Sequence, residues 1–170
     1  MRKLLAMIAL VAPLGADDPD ASFYKNAAEA GIFEVEAANQ AQQKANMQSV
    51  KDFAAMMVKD HTAANDKLKT LAASKNISLP TSASVSQMAE KAKLDVLTGD
   101  TYDKSYIKGQ IKAHYGAIKL FKTEIASGQD ADAKSFAEQT LPTLKQHLKA
   151  ARDIAAQNGW TKPKASPAAS

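Results

Sequence analysis

The stretch SVKDFAAMMVKDHTAANDKLKTLAAS, residues 49–74, decides the fold. Val50, Phe53, Met57, His61, Ala64, Leu68 and Leu71 recur in it at alternating steps of three and four. That spacing aligns them along one face of an α-helix, whereas a strand would repeat every second residue. Asp60 and Asp66 fall beside the stripe and read as solvated charges. The helix is expected to stop where Lys75-Asn76-Ile77-Ser78-Leu79-Pro80 brings Asn and then Pro. A helix with one apolar face is stable only when that face is covered. The rest of the chain must therefore supply partners.

Working outward, three more long segments show the same period. They run from about 21 to 45, 101 to 127 and 130 to 158. Their stripes are Phe23, Ala27, Ala30, Glu34, Ala37 and Ala41; then Ile107, Ile111, His114, Ile118, Phe121 and Ile125; then Ala137, Thr140, Leu144, His147, Ala151 and Ile154. Gly128 closes one helix, Asp130 offers an N-cap for the next, and Asn158-Gly159 ends the last. Residues 84–97 form a short extra helix within a long link between the second and third long helices, as a bundle with a crossover requires. Pro142 kinks the last helix or marks a restart at Thr140 or Leu141. No internal repeat is visible. The expected fold is all-α: a four-helix bundle over residues 20–159.

Composition agrees. Only 7 Gly and 6 Pro occur in 170 residues, and aromatics are 6%. Such a core depends on Ala, Leu, Ile and Met. The absence of cysteine excludes disulfides, thiol catalysis, zinc–thiolate sites and iron–sulfur clusters. The net charge of +4 is diffuse: Arg2 and Lys3 belong to the N-terminal leader, and Lys162 and Lys164 to the tail. The bundle itself is near neutral and carries no basic run, which argues against a nucleic-acid partner. No glycine-rich phosphate loop or Gly-x-Ser-x-Gly elbow occurs.

The N-terminus reads as a secretory signal over residues 1–16. Arg2 and Lys3 precede an apolar run from Leu4 to Leu14, with cleavage expected after Ala16. The alternative is a cytosolic chain with an apolar N-terminus. The run is too short for an ordinary span, and no other approaches that length. The chain is thus expected to be periplasmic or otherwise exported. The tail from 160 to 170, rich in Pro, Ala, Ser and Lys, is expected to be disordered. Neither a protein partner nor an oligomeric state is written in the sequence; a homo-oligomer is compatible with it.

Each apolar stripe contains one ionisable residue: Glu34, His61, His114 and His147. The three histidines are all that the chain has. Each of the four lies within about three positions of its helix midpoint, a spread of roughly 5 Å along the axis at 1.5 Å per residue. Midpoints stay at mid-height whichever way a helix runs, so the four are expected at one level. A buried carboxylate or imidazole without a partner costs several kcal/mol. Two arrangements relieve that cost. One is a hydrogen-bonded polar cluster in which Glu34 accepts from histidine. The other is a single transition-metal ion, Zn²⁺, Fe²⁺, Mn²⁺ or Cu²⁺ by ligand type, held by Glu34, His61, His114 and His147. Met57, one turn before His61, reads as core filling. Tyr102, Tyr106 and Tyr115 read as edge residues with wet hydroxyls.

The segments Gly31–Glu36, Phe53–His61, Ile111–His114 and Leu141–Leu148 together resemble the DUF4142 family of exported bacterial proteins. The Met-x-x-Asp-His element at Met57–His61 and the Leu-Pro…His-Leu element at Leu141–Leu148 carry most of that likeness. The resemblance implies a ferritin-like four-helix fold and an envelope setting, and it supplies no reaction. The pattern departs from di-iron proteins, which place Glu-x-x-His pairs on two helices. Val58, Ile111 and Leu144 stand three residues before the histidines, so a two-iron ferroxidase centre lacks its carboxylates. Four protein ligands would close a metal site and favour a structural or sequestering role over catalysis. The competing expectation is an envelope interaction module whose cluster only fixes helix register.

Overall fold

Helix boundaries follow from local chemistry. In the computed structural model, which describes residues 19–161, five helices occur: α1 Pro19–Lys44, α2 Gln48–Ser74, α3 Val85–Asp95, α4 Gly99–Ser127 and α5 Ala131–Gln157. Proline at the first position of α1 suits a helix start, because its missing N–H would have no partner there. Ser84 begins α3 with a reciprocal capping box to Gln87. Asp130 caps α5 by accepting from the Asp132 amide at 3.0 Å. Asn76 and Gly159 take left-handed backbone at the ends of α2 and α5. In each case the next amide turns back to a carbonyl five residues earlier: Ile77 to Ala72 and Trp160 to Ala155. The expected signal at 1–16 and the tail at 162–170 lie outside the described residues.

Helix α5 runs unbroken through Pro142. Neither Thr140 nor Leu141 restarts it. The proline ring is on the exposed face, and Glu138, whose carbonyl loses its amide partner, is also exposed.

The long helices form two hairpins, α1–α2 and α4–α5. Buried Asp20, at the start of α1, accepts from the amides of Gln129 and Asp130 in the turn of the other hairpin. Buried Asp103, in the first turns of α4, accepts from Asn46 at 3.0 Å and Met47 at 2.7 Å, in the turn of the first hairpin. These reciprocal clasps fix the direction of every helix: each long helix is antiparallel to both neighbours. The link from α2 to α4 therefore returns along the length of the bundle. It carries α3, which contacts α1 and α4 but buries none of its own residues. Among the described residues, no helix is long and apolar enough to cross a membrane.

The core has two apolar halves. One gathers Phe53, Met57, Tyr106, Ile107, Ala151 and Ile154. The other gathers Phe23, Leu68, Phe121, Phe136 and Leu144, with Phe23 edge-on to Phe121 and Phe136. Trp160 packs against the first half, so it belongs with the bundle and not with the tail. Tyr102 and Tyr106 are buried rather than wet, and their hydroxyls lack hydrogen-bond partners. Tyr115 is exposed.

Candidate metal centre

A layer of polar side chains separates the two apolar halves. His61 from α2, His114 from α4 and His147 from α5 each replace an apolar stripe residue at mid-height. All three are buried. Each offers one ligand atom, and these atoms lie within 4.8 Å of one another. The ring centroids are 5.2–5.7 Å apart.

Two of the rings are oriented by acceptors behind them. His114 Nδ1 lies 2.9 Å from the carbonyl oxygen of Gln110, which can only accept. The proton therefore sits on Nδ1, and Nε2 is left bare. His147 Nε2 lies 2.9 Å from the Asp60 carboxylate and donates to it. When His147 is neutral, its Nδ1 is then bare too. These two nitrogens face each other at 3.4 Å. Buried His61 Nε2 has no hydrogen-bond partner. Two bare nitrogens thus face each other beside the unpartnered Nε2 of His61. Two nitrogens bound tetrahedrally to one ion at about 2.0–2.1 Å are separated by about 3.3 Å. The His114–His147 pair already has that spacing, and the third imidazole is at most about 1.5 Å too far.

Burial also keeps His61 and His114 in the ligating form. It lowers the His61 pKa to about 3, helped by repulsion from His114 and His147. It lowers that of His114 to about 4, partly offset by the Gln110 carbonyl. Neutral imidazole is the metal-binding form.

Glu34 does not join the group of three. It is 5% exposed, hydrogen-bonds to Gln110, and leaves Oε2 unpartnered. Burial raises its pKa to about 7. Glu34, His61 and His114 share the wall of one cavity of about 360 Å³ lined by all five helices. So three of the four expected residues meet at one point, and the fourth faces the same space.

Asp60 corrects the reading of that residue as a solvated charge: it orients His147. It sits one residue from His61 and so projects about 100° away, towards α5 and not the core. The Met-x-x-Asp-His element contained this signal. Gln110, which ties Glu34 and His114 together, carried none. Met57 fills the core as expected, and Asp66 and Glu36 are exposed.

Two solved structures share the fold. A DUF305 protein from Streptomyces coelicolor superposes with TM-score 0.72 and 16% identity, over 85% of this chain and 96% of that one. A DUF305 fragment from Deinococcus radiodurans gives TM-score 0.74 and 12% identity, over 86% and 99%. No curated protein matches the sequence. The model of a domain of unknown function, DUF4142, matches residues 7–154, nearly the whole of the helical region with its three histidines, and the chain belongs to that family.

Proposed function

We propose that this chain is an exported helical bundle that holds a single divalent transition-metal ion on His61, His114 and His147. Glu34 stays outside that set of three and lines the same cavity as His61 and His114. One observation carries the reading: the His114 and His147 nitrogens face each other at 3.4 Å while their partners Gln110 and Asp60 hold the protons on the far sides. Metal-binding imidazoles are oriented in this way, each giving its other N–H to a carbonyl or carboxylate. An all-imidazole set suits zinc, copper or iron better than magnesium or calcium. Export is supported by the charged and apolar pattern of residues 2–14 and by the designation of the Streptomyces coelicolor neighbour as a secreted protein. The antiparallel bundle with its crossover is ferritin-like, but without Glu-x-x-His pairs it does not favour a two-iron centre.

The test is elemental mass spectrometry on untagged protein purified from its own envelope. The expected result is about one equivalent of one transition metal, lost in His61→Ala. If His61→Ala keeps the metal at full affinity, the site is misplaced.

A second reading has its own support. His147 and Asp60 are placed as an ion pair, and a protonated His147 could donate to both Asp60 and His114. The cluster would then be a structural polar network. Protein that is metal-free as isolated and refuses Zn²⁺, Cu²⁺, Fe²⁺ and Mn²⁺ would favour it.

A further inference from the structure

The cavity beside the three histidines is larger than an ion and its water need. At about 360 Å³ it is over twice the 150 Å³ apolar cavity that accommodates benzene in an engineered protein. Its walls are mostly apolar: Phe33, Leu68, Phe121, Phe136 and Leu144, with small residues such as Ala30 and Ala117 making the room. Its polar groups are unevenly placed. His61 and His114 are buried, and so is the unpartnered Oε2 of Glu34. His147 does not line the cavity; it is held from behind by Asp60. Three imidazoles fill three corners of a tetrahedron. His61 and His114 line the cavity and His147 does not, so a fourth corner on their side would open into the space that Glu34 also lines.

Resting on the three-histidine reading above, we propose that the fourth coordination position takes an exogenous organic ligand. Its class is an aromatic body of about two fused rings with one anionic oxygen head. The head would bind the metal, and the body would fill the apolar space. A site of this kind is open, in contrast to the closed four-ligand site expected from the stripes. The wall nearest the solvent is α3, anchored to α1 at its C-terminal end, where Gln40 and Lys44 hydrogen-bond to Asp95 and Lys44 also to the Leu94 carbonyl, and held more lightly along the rest of its length. Ser86, Gln87 and Glu90 of α3 line the cavity, yet α3 buries no residue of its own. Its tie to α4 is the exposed ion pair Glu90–Lys112 at 3.5 Å, a kind of contact that contributes little.

The experiment uses full chain loaded with Co²⁺, whose visible spectrum reports coordination. It is titrated separately with 2-naphthoate and with acetate, which have the same head and differ in the body. The expected result is a spectral change with both, and at least tenfold tighter binding of naphthoate. Ala117→Leu on α4 and Ala30→Leu on α1 each fill the cavity without replacing a ligand. Either should cut the naphthoate advantage to less than threefold while one equivalent of cobalt stays bound; two variants guard against one failing to fold. Cobalt bound with no response to either acid, or equal affinity for both, overturns the ligand proposal and leaves the metal site standing. Failure to bind cobalt at all overturns the metal site, and the ligand proposal falls with it.

Discussion

At the scale of single residues, the proposed centre would depend on side chains that hold the three histidines as well as on the histidines. Asp60 is the clearest case. Asp60→Asn should weaken zinc affinity about 10- to 100-fold while keeping one equivalent bound, as measured by competition with a chromogenic chelator. Unchanged affinity would reduce Asp60 to a surface contact. The buried titrating groups also set opposing pH dependences in metal-free protein. His61 and His114 have pKa values lowered from 6.5 to about 3 and about 4. The unfolded chain binds protons there that the folded chain refuses, so their contribution is lost as pH falls below about 6.5. Glu34 and Glu124 are raised from 4.5 to about 7 and about 8, both chiefly by burial and Glu124 also by its hydrogen bond to Asp20. Their contribution is present at low pH and is lost as pH rises through those values. Stability should therefore peak near about pH 5.5, read from urea midpoints between pH 4 and pH 8. Glu34→Gln should move the peak upward. A steady rise to pH 8 would contradict the burial of both glutamates. The histidines and Glu34 were legible in the sequence because an ionisable residue on an apolar stripe is conspicuous. Asp60 was present in the Met-x-x-Asp-His element but its role was not, and Gln110 carried no signal, because the side of a stripe from which a neighbour approaches is decided by the packing of a second helix.

At the scale of elements, the helices follow their sequence signals closely. Asn76, Asp130 and Gly159 end or begin helices as their backbone preferences dictate. Pro142 could not be resolved in that way, since its effect depends on whether the orphaned Glu138 carbonyl is wet. The exposed face of α5 supplies that condition. Pro142→Ala restores an N–H and removes the ring's clash with the preceding turn, a change of about 3 kcal/mol in an ordinary helix. Part of that is offset by the greater freedom of the unfolded chain, about 0.4–1 kcal/mol. A gain of about 2 kcal/mol in urea unfolding is expected. No gain would mean that the bundle already bends α5 to suit the ring.

At the scale of the whole molecule, the two clasps and the polar layer act across the hairpins. Asp103→Ala leaves two amides of the α1–α2 turn without their acceptor. It should cost about 2–3 kcal/mol, with the slope of the urea transition unchanged. A metal ion at the proposed site would act on the same interface, since His61 comes from one hairpin and His114 and His147 from the other. Zinc at a hundred times its dissociation constant should add about 2.7 kcal/mol, and a chelator should remove it, as a fall in Tm. The aspartate clasps were not legible in the sequence, where Asp20 and Asp103 look like ordinary first-turn acids. Only the antiparallel arrangement of two hairpins brings each to the other's turn. That reciprocity makes the protein divisible in principle. The backbone cut between exposed Thr81 and Ser82 would yield two fragments, each lacking the aspartate that closes its own turn. Separately they should be unfolded; mixed, they should reassemble, and zinc should tighten the pair. The chain would then behave as a two-piece reporter in which metal joins the halves.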